Sequence, residues 1–269
     1  MNDRLPLSVL LLAHNEAPRL AALLPTLSFA RELVVVDSGS TDGTPEVAAR
    51  NGARVLTRAL DGFGRQRQFA LDHCREDWVL WLDADERLDA VAERAVRGAV
   101  GEAMRPDTPA GYRMERRTWF LGRRIRHCGW GGERILRLFR RSAVRFDEAP
   151  VHERAIVNGG IAELPGAIEH LSYETWGECR QKLVRYAAAG AERARRGGRR
   201  ARWVDLVLRP PARFVRMYVL QAGFLDGSRG LLVCALAATQ VLLKYGELWA
   251  EPHRAEGNDD SEAGPETAP

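Results

Sequence analysis

Hydrophobic positions in the first ninety residues fall in short unbroken runs separated by polar, helix-forming stretches. LSVLLLA (7–13), ELVVVD (32–37), ARVLT (53–57) and DWVLWLD (77–83) are each of strand length. Continuous rather than alternating apolarity means that both faces of a strand are covered, as in a parallel sheet. Between the runs lie helix signals. GTPEVAARNGA predicts a helix with Thr44 as N-cap, Pro45 at the first helical position and Gly52 as the stop. RQRQFALDHC (65–74) predicts another. The resulting β-α-β-α-β-α-β order predicts an α/β doubly wound sheet. In such sheets ligands bind beyond the carboxyl ends of the strands.

The pattern then changes twice. GYRMERRTWFLGRRIRH (111–127) and RILRLFRRSAVRF (134–146) alternate apolar residues with Arg, which predicts strands with one wet face. From residue 174 to 250 the period becomes helical, with a break expected at Pro210-Pro211. The apolar run GLLVCALAATQVLL has 14 residues and contains Thr and Gln, short of the roughly 20 that a membrane-spanning helix needs. Before it, Arg209, Arg213 and Arg216 lie among Trp203, Phe214 and Tyr218. That mixture suits a helix lying in the headgroup plane of an anionic leaflet. Residues 251–269 are acidic and Pro/Gly-containing, and are expected to be a disordered tail.

Charge sharpens the division. The chain of 269 residues has a formal net charge of +4. From Glu251 onward six acids and Arg254 give −5, so residues 1–250 carry about +9. A basic body suggests anionic partners. The four cysteines, Cys74, Cys128, Cys179 and Cys234, form no C-x-x-C pair, which argues against a zinc site and against a disulfide framework. MNDRLPLSVLLLAHNE reads as a strand rather than a signal peptide.

Three polar clusters fall at predicted strand ends: His14-Asn15-Glu16, Asp37-Ser38-Gly39 and Asp83-Ala84-Asp85. In WLDADER (81–87) three acids stand so close that they repel one another unless a cation or a set of donors sits among them. Asp-x-Asp at the end of a buried strand can hold Mg2+ or Mn2+ through oxygen, an ion that shares its ligands with substrate phosphates. Asp37 is suited to accept from a base N–H or a ribose hydroxyl, or to cap its own turn in DSGSTDG. There is no G-x-x-x-x-G-K-[ST], no G-x-G-x-x-G after the first strand, no G-x-S-x-G and no H-E-x-x-H. Those absences disfavour P-loop, dinucleotide-binding, hydrolase and zinc-protease chemistry.

SVLLLAHNEA, VVVDSGSTDGT, GFGRQRQFALDHCREDWVLWLDADE and GWGGERILRLFRR followed by VHE together resemble glycosyltransferase family 2. Within it they are most similar to the lipopolysaccharide core-type enzymes that extend an inner-core heptose, commonly with glucose. The resemblance covers residues 6–250. It implies a GT-A type, doubly wound mixed sheet flanked by helices over residues 1–173. The nucleotide-sugar half would be about 1–100 and the acceptor half about 101–173. A helical, membrane-associating region would follow over 174–250.

The resemblance also implies an inverting mechanism, a divalent cation (Mg2+ or Mn2+), a nucleotide-sugar donor such as a UDP-sugar, and a lipid-linked saccharide acceptor. Ala13, His14, Asn15, Glu16 and Asp37 would surround the nucleotide. Arg67 would approach the diphosphate, Asp83 the ribose or metal-bound water, and Asp85 would bind the metal. His152 would complete the metal shell or contact the diphosphate. Glu133, where Gly131-Gly132 replaces the subfamily's aromatic-Pro step, would be the general base, with Asp147, Glu148 and Glu153 as nearby rivals. Arg134, Arg137 and Arg140 recur at every third position, so a regular strand cannot present all three to one site.

These properties predict a peripheral enzyme on the cytoplasmic face of the inner membrane that binds an anionic membrane surface and no nucleic acid. Another polyprenyl-linked or envelope glycan is the alternative acceptor. A sugar nucleotidyltransferase would need a Gly-rich basic loop after the first strand, which AHNEAPRL lacks. A basic scaffold binding nucleic acid through ERARRGGRRARW (192–203) would leave Asp83 and Asp85 without a role.

Overall fold

The computed structural model describes residues 4–101, 108–147 and 155–256. The chain forms two compact units, residues 1–117 with 132–171, and residues 118–131 with 172–269.

In the first unit the four apolar runs are strands: β1 (Leu5–Ala13), β2 (Ala30–Asp37), β3 (Arg54–Thr57) and β4 (Trp78–Asp83). They are followed by β5 (Glu86–Leu88), β6 (Gly111–Phe120), β7 (Arg123–Ile125), β8 (Glu133–Arg140), β9 (Val144–Phe146), β10 (Ala155–Val157) and β11 (Ile161–Tyr173). The main sheet has the order β3-β2-β1-β4-β8-β6-β11-β5. Strands β1 to β4 pair in parallel, whereas β8 joins β4 and β6 antiparallel. The sheet is therefore mixed, with its parallel half built from the continuous apolar runs.

Helices α1 (Ala17–Leu23), α2 (Thr44–Arg50), α3 (Phe63–Asp72) and α4 (Ala90–Gly101) cover both faces. Val9 and Leu11 pack with Leu20, Leu23, Ala48 and Val96 on one side. Leu10, Val34 and Val36 pack with Ala70 and Leu71 on the other. Alternate side chains of one apolar strand thus enter two cores, which is the doubly wound arrangement. In α2 the N-cap is Gly43, at φ +82°, and Thr44 is one residue inside. The expected Thr44 cap is displaced because its hydroxyl bonds Asp42 instead.

The register aligns the functional edge. Ala13 stands opposite Asp37, and Leu12 opposite Asp83. Chain order reverses direction between β1 and β4, and at such a switch point the following loops leave a crevice.

In the second unit the end of β6 pairs with β7, Thr118 opposite Ile125. Helices α5 (Trp176–Arg196), α6 (Trp203–Val215) and α7 (Gly227–Glu256) follow. The Thr175 hydroxyl caps α5 by accepting from Glu178 N. Phe120 and Ile125 pack on Val233 and Cys234 of α7, and Ala191 packs on Tyr245 and Leu248.

Two expectations are corrected here. Pro210-Pro211 does not end its helix: α6 runs through both prolines to Val215 and passes into a wider π-helical turn, Arg216–Leu220. Pro210 is buried and the partly buried Leu206 packs against Ala191, Tyr245 and Leu248, which holds the segment helical despite two missing N–H donors. The 14-residue apolar run is only the first half of the 30-residue α7, which continues to Glu256 past the expected start of the tail. Gly223–Ala250 is long and apolar enough to cross a membrane by length and composition, and 22% of its apolar 18-residue stretch is buried.

Candidate active site

Two strand-end loops are laced together. Asp37 is buried, and its Oδ2 accepts from Gly39 N and Ser40 N, both at 3.0 Å, while Oδ1 accepts from the Ser40 hydroxyl at 2.5 Å. Asn15 sits in the left-handed region at φ 57°. Its N–H donates to Ser40 Oγ at 2.8 Å, and its Oδ1 accepts from Thr41 N at 2.8 Å. Glu16 N donates to Thr44 Oγ1 and Ala17 N to Asp42 Oδ2. Asp37 therefore fills about three of its four lone-pair positions within its own loop. The turn-capping use of Asp37 is the one the structure displays. His14 is exposed beside this clamp, and Glu16 is ion-paired to Arg19 at 3.1 Å.

The acidic stretch after β4 resolves through an arginine. Ala84 and Asp85 form the turn between β4 and β5. Glu86 is fully buried, and one of its oxygens accepts from Asp83 N at 3.1 Å. Arg137 Nη2 donates to Glu86 Oε1 at 2.7 Å and to Asp83 Oδ2 at 3.0 Å. Burial pushes the Glu86 carboxyl above its ordinary range and the neighbouring Asp83 adds to this, while the Arg137 guanidinium opposes it. Arg137 reaches this place because of a β-bulge. Tyr112 pairs with Leu138 and Arg113 with Leu136, so Arg137 is the extra residue. The bulge turns Arg134 and Arg137 toward the same cavity, which regular alternation forbids. Arg140 lies apart, over Trp78 and near Asp77.

Trp81 carries two cations on its faces: the Arg67 guanidinium lies 4.3 Å and that of Arg137 4.0 Å from the ring centroid. Arg67, on α3, is 9% exposed, and burial lowers it to about 10 despite the pull of Asp83. These groups open into a cavity of about 640 Å³, whose lining also includes Arg113, Arg116 and Arg134.

Asp85 has its own partner. His170 Nε2, on β11, lies 3.5 Å from Asp85 Oδ2, and Leu171 N donates to the Asp85 carbonyl at 2.8 Å. His170 Nδ1 is buried with no hydrogen-bond partner among the described residues. No group of three or more His, Cys, Asp or Glu side chains that could hold a metal occurs among the described residues. A carboxylate with an imidazole fits an ion such as Mn2+, which fills its remaining positions with water and substrate phosphate.

Residues 8–144 match the sequence model of the family described as Glycosyl transferase family 2. The chain is 30% identical over 268 residues to the lipopolysaccharide core biosynthesis glycosyltransferase LpsC of Rhizobium meliloti (strain 1021), covering 94% of this chain and 97% of that protein. The chain belongs to glycosyl transferase family 2. An uncharacterized glycosyltransferase of Rickettsia felis is 39% identical over 83 residues, 30% of this chain and 29% of that protein. Among solved structures, glucosyl-3-phosphoglycerate synthase from Mycobacterium tuberculosis in complex with Mn2+ and UDP-glucose is 26% identical. That match covers 42% of this chain and 43% of that one at a TM-score of 0.34.

Other expected site residues of the glycosyltransferase fall as follows. Ala13, Asp37 and Asp83 end their strands, Asp85 lies in the turn after β4, and Arg67 and Asp83 line the cavity. Glu133 is half-exposed at the start of β8 and accepts from Arg116 at 2.6 Å. Asp147 is partly buried; His152, Glu148 and Glu153 lie outside the described residues. The histidine placed at Asp85 is His170. Glu86, Arg137 and His170 are the residues that sequence reasoning missed as site components. Glu86 stood in the acidic stretch and Arg137 in the arginine series, but a lone His on a long strand gives no signal.

Glycine at positions 131 and 132 has a steric reason. A Cβ on Gly131 would lie 1.9 Å from the Arg126 carbonyl oxygen, and Gly132 is at φ +72°.

Proposed function

We propose that the glycosyltransferase moves a hexose such as glucose from a UDP-sugar to a lipid-borne saccharide of the lipopolysaccharide inner core, with inversion and with Mg2+ or Mn2+. The observation that carries this is the Arg67–Trp81–Arg137 layer beside Asp83 at the switch point of the sheet, with Asp85 in the turn that follows. Two buried guanidiniums next to carboxylates suit a ligand that combines a diphosphate with a divalent cation. The relationship to LpsC along nearly the whole chain supports the acceptor class.

In this reading the first strand end, from Ala13 to Glu16, and Asp37 border the nucleotide. Arg67 and Arg137 offset the charge of the departing nucleoside diphosphate. Asp85 and His170 would hold the cation, with Asp83 and His152 as the further candidates named by sequence. The bound cation would supply Lewis-acid stabilisation of the leaving group. Glu133 takes the proton of the acceptor hydroxyl as it attacks the anomeric carbon from the opposite face.

Thermal denaturation with a panel of nucleotide sugars tests the donor assignment. With Mn2+ present, a UDP-sugar at a hundredfold excess over Kd should add about 2.7 kcal/mol of stability. Glu133→Gln should keep that stabilisation and lose turnover by at least about a hundredfold. No stabilisation by any nucleotide sugar, with or without Mn2+, refutes the reading.

We further propose that the helical unit holds the enzyme at the cytoplasmic face of the inner membrane. Leu220 (77% exposed), Trp203, Leu225 and Leu208 are exposed apolar side chains on and after α6, interleaved with Arg209, Arg213 and Arg216. Apolar side chains among cations suit an anionic leaflet. Flotation with vesicles should carry the protein upward when they contain anionic lipid, and less with neutral lipid. Full solubility with no flotation in either case refutes membrane association.

A further inference from the structure

The cavity holds more guanidinium than one diphosphate requires. Arg67 and Arg137 flank Trp81 beside Asp83. Three others, Arg113, Arg116 and Arg134, come from the neighbouring strands β6 and β8. The register sets Arg116 opposite Glu133, Glu115 opposite Arg134 and Arg113 opposite Leu136, so Arg113 and Arg134 share one face of the sheet.

Their present partners are weakly held. Arg116 pairs with Glu133 at 2.6 Å and lies at the limit of ion pairing, 4.0 Å, from the buried Glu86; Arg134 pairs with Glu163 at 3.0 Å, and Glu133 and Glu163 are 52% and 60% exposed. Exposed ion pairs contribute little and exchange readily for a better anion. Arg113 is exposed and makes no hydrogen bond or ion pair among the described residues.

We propose that Arg113, Arg116 and Arg134 form a second anion subsite, which takes a phosphate monoester carried by the acceptor saccharide. This rests on the glycosyl-transfer reading above. Three guanidiniums lining one cavity from two strands supply donors enough for the three terminal oxygens of a phosphate, whereas a carboxylate is satisfied by one bidentate arginine. Glu133 touches Arg116, so a sugar anchored there presents its hydroxyl beside the proposed base.

The test is calorimetric titration of the full chain with glucose 6-phosphate, glucuronate and glucose, with and without UDP and Mn2+. Glucose 6-phosphate should bind at least about tenfold tighter than either other sugar, the scale of one or two charge-assisted hydrogen bonds. Arg113→Ala and Arg134→Ala should erase that preference while leaving UDP affinity unchanged. Both residues are exposed, so the variants should fold as the parent does. Equal binding of the three sugars, tighter binding of glucuronate, or a preference that survives both substitutions overturns the subsite. Failure of UDP to bind is a separate result that counts against the donor reading, because the sugar titrations are also run without nucleotide.

Discussion

Asp85→Ala is expected to abolish sugar transfer, by about a thousandfold or more, while the protein stays folded. The fold tolerates the change because Asp85 lies in a two-residue turn whose geometry is set by its own carbonyl, which accepts from Leu171 N. The proposed chemistry does not tolerate it. A divalent cation that offsets a departing diphosphate supplies several kcal/mol, and each 1.36 kcal/mol is about a factor of ten in rate. His170 alone cannot hold such an ion, since hard cations prefer carboxylate oxygen. Asp83→Ala should also be severe, for a different reason: it removes one of the two carboxylates that orient Arg137. Steady-state turnover with Mn2+, alongside circular dichroism, decides the matter. Near-parental turnover in Asp85→Ala would remove the metal role from this turn.

Arg137→Met should cost about 3–5 kcal/mol of stability near neutral pH, the range for breaking one side of a buried ion pair. The arginine is 4% exposed and its Nη2 bridges Glu86 and Asp83. Without it Glu86 is a buried charge beside another acid. It escapes only by taking up a proton, so its carboxyl rises further above the ordinary value of 4.5. The sign follows from linkage. A carboxyl raised in the folded state binds a proton that the unfolded chain releases, so stability falls as pH rises from that ordinary value through the folded one. The deficit of Arg137→Met should therefore be smaller at pH 5 than at pH 8. Adding Glu86→Gln should restore part of the loss at pH 8 and flatten the difference. Urea denaturation of the parent, the single variant and the double variant at both pH values tests this. A deficit that does not change with pH would mean that packing, not charge, is what Arg137 contributes.

Much of the first unit was legible in the chain. Residues 7–13, 32–37, 53–57 and 77–83 are so uniformly apolar that only a strand covered on both faces can use them, and all four runs are strands within two residues of their expected ends. The polar clusters that terminate three of them mark the crevice, because a parallel sheet gathers its carboxyl ends at one edge. The same logic failed for Pro210-Pro211. Local propensity argues for a break there, but packing against neighbouring helices outweighs two lost hydrogen bonds.

By itself the sequence determined the α/β class, the strand ends that carry Asp37, Asp83 and Asp85, and the family, because each rests on local pattern or on contiguous motifs. Tertiary structure alone decided what neutralises the acids of WLDADER. The deciding residue, Arg137, lies 51 and 54 positions from Glu86 and Asp83 in the chain. They meet only because β8 pairs beside β4 and carries one extra residue at Arg137. A bulge leaves no mark on hydrophobic periodicity that distinguishes it from regular strand, so its effect on which arginines share a cavity appears only in the paired register. His170 reaches Asp85 for the same reason: strand pairing joins β11 to β5, and nothing local to either segment records that.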